Sequence, residues 1–185
     1  MEDQYKYTAT DGICSPVKSQ SPGTGVKSFV TIKKGDEKAM MDALKAALNR
    51  AEGDSDTQVV ILTGADPYYC AGVNLSATIQ LGHPRDLHAA IVEHNEALFE
   101  AFLGFSKPIL VAANGPAIGA SVTSATLCDA IIASEKATFS TPFATLGVTP
   151  EGCSSVLFAR LMGEEAAQRM LGPEGWKPSG AEALS

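Results

Sequence analysis

PILVAANGPAIGASVTSATLCDAIIAS, residues 108–134, holds a strand, a helix and a second strand with only turns between them. Ile109 to Ala113 is an unbroken apolar run of strand length, the pattern of a strand buried on both faces. Asn114-Gly115-Pro116 is a turn. The small residues from Ile118 to Cys128 read as a helix able to lie close to a sheet, and Ala130 to Ala133 as the next strand. A strand–helix–strand unit of this kind belongs to an α/β fold.

Working outward, the same alternation continues. Val59-Val60-Ile61-Leu62 is a short buried strand running into the turn Gly64-Ala65-Asp66-Pro67. A helix is predicted from Asp86 to Phe105, with Leu87, Ile91, Leu98 and Phe102 inward and Pro108 ending it. Another spans Ala39 to Glu52, with Met40, Leu44, Ala47 and Leu48 on one face and Gly53 as its stop. Phe29 to Ile32 is a strand, and residues 1–25, punctuated by Pro16, Pro22, Gly23 and Gly25, are loop or edge structure. Downstream come a short strand at Thr138–Ser140, helices at Glu151–Met162 and Glu164–Met170 split by Gly163, and a loop-like tail from Gly172. No repeat interrupts the series, so residues 1–185 are expected to form one domain.

Composition removes several classes of function. Net charge is −7 and the 14 Lys and Arg are scattered, so there is no electrostatic footprint for nucleic acid. No apolar run reaches the roughly 20 residues of a membrane span. MEDQYKYTATDG has no apolar core and does not read as a secretory signal. The four Cys form no CxxC pair, and His88 and His94, six apart, fall on different helix faces, so no metal is expected and a reducing compartment suits the thiols.

Three features carry chemistry. Gly119-Ala120 starts a helix after a strand, so free N–H groups converge there and suit an oxyanion; close packing of helix on strand accounts for the same residues, and pattern alone favours that. Cys70-Ala71-Gly72-Val73-Asn74 is a second small-residue turn, equally readable as an ordinary loop. Glu151 is the only acid between Phe139 and Leu161. With Thr149 as N-cap and Pro150 at the first helical position, it fits a helix-capping role as well as a proton shuttle. Phe139, Phe143, Leu146 and Val148 tilt the balance, because apolar surroundings raise a carboxyl pKa.

VVILTGADPYYCAGVNL, PILVAANGPAIGASVTSATLCDAIIAS and ATFSTPFATLGVTPEGCSS, in this order, resemble the crotonase superfamily, the enoyl-CoA hydratases and isomerases. NGPAIGASVT with TPFATLGVTPEGCSS is most similar to the peroxisomal-type Δ3,Δ2-enoyl-CoA isomerases. The resemblance covers roughly residues 57–170. It implies ββα units stacked into two roughly perpendicular sheets flanked by helices, an acyl-CoA substrate, and an oxyanion hole from the backbone N–H groups of Val73 and Ala120. Ala71, Gly72, Asn74, Gly119 and Phe143 would line the substrate and CoA site, with Asn74 where many members carry Asp.

The resemblance also sorts the chemistry. The two hydratase glutamates fall on Thr123 and Phe143, which cannot activate water and would keep the pocket dry. The single isomerase acid falls on Glu151. The expected activity is isomerisation of 3-enoyl-CoA to 2-trans-enoyl-CoA in oxidation of unsaturated fatty acids. No cofactor is needed beyond the CoA of the substrate. Alternatives are enoyl-CoA hydration, or a non-catalytic CoA-binding or interaction domain like that of the chromodomain-Y type proteins, which lack an acid at position 151. Members carry a longer helix near position 40, and C-terminal helices that cover the acyl pocket and build a trimer; this sequence stops short of the latter at Ser185. A homotrimer is implied for a full-length chain, and peroxisome or mitochondrion as its location.

Overall fold

The computed structural model describes residues 5–9, 14–18, 28–32, 37–65, 67–72 and 82–184. A six-stranded sheet forms the scaffold. Its strands are β1 (Tyr5–Ala9), β2 (Cys14–Lys18), β3 (Ser28–Ile32), β4 (Val60–Gly64), β5 (Ile109–Ala113) and β7 (Ala130–Ala133), in the order β2-β1-β3-β4-β5-β7. β1 and β2 pair antiparallel and every other neighbour pairs parallel. The sequence therefore hid two strands, but the edge reading holds for one. Pro16 sits opposite Tyr7 on the outermost strand, where a residue without N–H costs no ladder bond on its open side.

A second, two-stranded parallel sheet pairs β6 (Ala117–Ile118) with β8 (Phe139–Ser140). The predicted helix start at Ile118 is thus two residues early: Ile118 still belongs to a strand, and α3 runs from Ala120 to Ala125. The tail is not wholly loop either. Ser179 bridges Thr138, and the Phe139 N–H donates to Pro178 O at 2.9 Å.

Helix α1 (Glu37–Gly53) buries Leu44, Ala47, Leu48 and Ala51, the spacing of one helical stripe. These side chains join Val60, Leu62, Ile109 and Val111 in the core. Helix α2 (Pro84–Leu103) begins two residues before its predicted start, because His83 caps it by accepting from the Arg85 N–H and Pro84 takes the first position. It ends at Gly104, well before Pro108. Only its C-terminal half is buried, through Leu98, Phe99 and Phe102; Ile91, expected inward, is 41% exposed. A short α4 (Phe143–Leu146) follows β8, and α5 (Ser154–Met162) and α6 (Glu164–Leu171) pack through Phe158, Ala167 and Met170. Among the described residues no helix is long and apolar enough to cross a membrane, and no group of three or more His, Cys, Asp or Glu could hold a metal ion.

Candidate active site

The two small-residue turns lie side by side because the backbone before each is paired. Cys70 bridges Ala117 in parallel, the Tyr69 N–H donates to Pro116 O at 3.0 Å, and the Ile118 N–H donates to Cys70 O at 3.1 Å. Asn114 secures the approach: its Oδ1 accepts the Gly64 N–H at 2.9 Å and its Nδ2 donates to Tyr68 O at 3.3 Å. Gly115 lies so close to Pro67 O that a methyl group there would overlap the backbone, so this crossing requires glycine. Ala71 and Gly72 follow at the surface, Gly72 with φ +83° and in reach of Ile118. Val73 and Asn74 lie outside the described residues.

Gly119 makes the corner between β6 and α3. Its φ is 66° and ψ −128°, and its N–H donates to Ser140 O at 2.8 Å. The N–H groups of Val122 and Thr123 return to Gly119 O, at 2.9 and 3.3 Å. That leaves the Ala120 N–H, in the first turn, with no acceptor among the described residues, as the geometry of a helix start requires.

The acid turn differs from its sequence reading. Glu151 is not in the first turn of a helix, Thr149 is not an N-cap, and Pro150 is not a first helical residue. Helix α5 starts at Ser154 with Cys153 as its cap. Gly152 and Cys153 both adopt left-handed conformations, φ 59° and 60°, which a right-handed helix cannot pass through. Ser154 closes the turn by donating from Oγ and N to Glu151 O, at 2.6 and 3.1 Å. The capping explanation of Glu151 therefore fails, since its side chain does not belong to the helix whose dipole it would offset.

The Glu151 carboxyl is half-buried, and its Oε2 accepts a hydrogen bond from Asn95 Nδ2 at 2.7 Å. It forms no ion pair with any described residue. Burial pushes its pKa up, and the Asn95 amide offsets part of that by favouring the charged form. Of the four apolar residues expected around it, two are buried and two are not. Phe139 and Phe143 are buried, but Leu146 and Val148 are 51% and 46% exposed. Behind the turn stand Phe99 and Thr123, 2.6 and 2.7 Å from where a Cβ on Gly152 would lie.

Asn95 escaped the sequence reading, although a signal for it exists. It stands at the helical interval between Ile91 and Leu98 on α2, a polar residue in the stripe that turns inward. Phe143 opens α4 and is 4% exposed, and Thr123 is fully buried with its Oγ1 donating to Ala120 O at 3.1 Å. A separate cavity of about 750 Å³ lies between α5 and α6, lined by Ser155, Gln168, Arg169 and Glu174 among others; Glu151 does not line it.

With this geometry in view, similarity to known proteins is informative. A sequence profile of the enoyl-CoA hydratase/isomerase family matches residues 37–185. The human testis-specific chromodomain protein Y 2 is 39% identical over 129 residues, 68% of this chain and 23% of that protein. An uncharacterized protein of Caenorhabditis elegans is 41% identical over 132 residues, 69% of this chain and 49% of that one. The chain thus spans from about a quarter to a half of the length of these relatives. Among solved structures, an enoyl-CoA hydratase/isomerase from Pseudoalteromonas atlantica T6c superposes with a TM-score of 0.71 at 31% identity, covering 84% of this chain and 61% of that one.

Proposed function

This chain belongs to the enoyl-CoA hydratase/isomerase family, the crotonase superfamily, and from that membership we propose that it is a Δ3,Δ2-enoyl-CoA isomerase working through one acid, Glu151. The observation that carries the reading is the state of that carboxyl: outside any helix, half-buried, unpaired with a cation among the described residues, and held by the Asn95 amide at 2.7 Å. A carboxylate whose pKa burial raises, yet which is still aimed by a donor, is suited to taking and returning a proton.

In the proposed reaction Glu151 removes a proton from C2 of a 3-enoyl thioester. The electron pair of that C–H bond becomes part of a dienolate, with negative charge on the thioester oxygen. The Ala120 N–H, at the corner after Gly119, is the donor for that oxygen. Val73 is the second donor by family resemblance; from the Cys70–Ala117 bridge, positions 73 and 120 are each three residues further along. The same carboxyl then delivers its proton to C4, and the double bond moves from C3–C4 to C2–C3. Proton and charge balance without water, metal or cofactor. Thr123 and Phe143, where the resemblance puts the hydratase acids, are buried and carry no ionisable group, which favours isomerisation over hydration. Unsaturated fatty acyl-CoA in a peroxisome or mitochondrion is the substrate setting this reading implies.

The chromodomain names among the relatives favour a second reading, a CoA-binding or interaction domain without turnover. One assay separates them. The protein is given a 3-enoyl-CoA and the conjugated 2-enoyl product is followed, with Glu151→Gln alongside. The expected loss in the variant is roughly 10²- to 10⁴-fold in kcat, the usual weight of a general acid–base group. An inactive wild type, or a variant of equal rate, overturns the isomerase; water addition to 2-enoyl-CoA by the wild type would make it a hydratase.

A further inference from the structure

We infer that Thr123 is the positioning residue that fixes the spacing between the Ala120 N–H and the Glu151 carboxyl, an inference that rests on the isomerase reading above. Its side chain is fully buried and touches both turns. On one side Thr123 Oγ1 donates to Ala120 O at 3.1 Å, and the Thr123 N–H returns to Gly119 O at 3.3 Å. On the other side the acid turn rests directly on it: a Cβ on Gly152 would come within 2.7 Å of Thr123 Oγ1 and 2.8 Å of Thr123 Cβ.

Among the described residues, no backbone hydrogen bond joins residues 149–153 to residues 117–123. Packing through Thr123 therefore sets how far apart the two turns stand. The chemistry needs that distance held. The thioester oxygen and C2 are joined through one carbon, about 2.4 Å apart on standard bond lengths. A donor poised for the first and a base poised for the second must keep a matching separation, and an error near 1 Å can cost on the order of 10²-fold in rate. The hydroxyl is not itself a catalyst, because its one proton is committed to Ala120 O.

Thr126 supplies the control. Its Oγ1 makes the same kind of bond, to Thr123 O at 2.8 Å, one turn further along. Thr123→Val replaces Oγ1 by a bulkier methyl, frees Ala120 O and pushes on Gly152. Thr123→Ser keeps Oγ1 and Cβ, the two atoms in contact. For Thr123→Val, kcat for 3-enoyl-CoA isomerisation is expected to fall roughly 10- to 100-fold with KM unchanged. The pH midpoint of kcat should not move, because Asn95 and burial set the acidity of Glu151. Thr123→Ser and Thr126→Val should stay close to wild type. Should Thr123→Val fail to fold, Thr123→Ala, which drops Oγ1 without added bulk, carries the same expectation.

Wild-type kcat in Thr123→Val or Thr123→Ala, or an equal loss in Thr126→Val, overturns the inference while leaving the isomerase intact. Absence of turnover in the wild type overturns the isomerase reading and this inference with it.

Discussion

The turn at Gly119–Ala120 and the turn at Gly152–Cys153 meet on either side of Thr123, yet they are held by different means. The first is enclosed by regular structure. Strand β6 leads into it, α3 leads out, and the Gly119 N–H is bonded to β8. A methyl group added at Gly119 would meet nothing within 4 Å. The second turn lies at the end of a segment whose residues from Ala144 to Pro150, the last three of α4 included, are all exposed. It passes through two left-handed residues in succession and is wedged between Phe99 and Thr123. A backbone N–H can be presented by a local corner alone. A carboxyl that must be both desolvated and aimed requires partners from distant helices.

The sharpest way to break that comparison is to add the same methyl to each turn. Gly119→Ala suffers backbone strain only, roughly 1–3 kcal/mol. Gly152→Ala suffers comparable strain and also drives a Cβ to 2.6–2.8 Å from Phe99 and Thr123, adding roughly 1–3 kcal/mol of overpacking. Urea denaturation of the two variants should therefore rank Gly152→Ala clearly lower in stability. Equal losses would mean the acid turn yields freely and is not clamped between α2 and α3.

This contrast also explains what the sequence made legible. The strands β3, β4, β5 and β7 announce themselves because parallel strands buried between layers are short apolar runs. The corner at Gly119 shows as a small-residue pattern that close packing explains equally well, and the unaccepted Ala120 N–H is common to both explanations because any helix start leaves one. Glu151 stands out in the sequence as a lone acid, but its local setting differs from the helix start that the sequence predicts. Thr-Pro-Glu is a proper helix start by every local rule. What overrides it is tertiary: Gly152 must pass between Phe99 and Thr123, and the left-handed backbone that permits this delays α5 to Ser154. Asn95 was illegible as a partner because it lies 56 residues away, and helical periodicity reports which face turns inward without saying what it meets there.

The next test acts on the single bond that aims the acid. In Asn95→Ala the donor to Glu151 Oε2 disappears, leaving burial unopposed. The charged form loses its one described hydrogen bond, so the pH at which kcat reaches half its plateau should move upward. A hydrogen bond to a charged group contributes roughly 1.5–3 kcal/mol, so the midpoint should move clearly, and kcat at neutral pH should fall with it. The pH–rate profile reads both effects. An unchanged midpoint would show that Asn95 merely fills space.

The smallest expected effect is on stability, and it has the opposite sign to the effect on activity. Burial raises the Glu151 pKa in the folded state above its unfolded value, so the native protein binds this proton more tightly than the unfolded chain does. The resulting stabilisation is complete below the ordinary glutamate pKa of about 4.3 and is lost as pH rises through the raised folded value. Gln at this position does not titrate and still offers Asn95 an acceptor. Thermal unfolding of Glu151→Gln should therefore match the wild type in acid and exceed it at neutral pH. A gap of roughly 2–4 °C corresponds to each kcal/mol in a domain of this size. A gap that instead opened toward low pH would mean the carboxylate is stabilised by its site rather than strained by it. The acid turn would then be ordinary structure, no different in kind from the corner at Gly119.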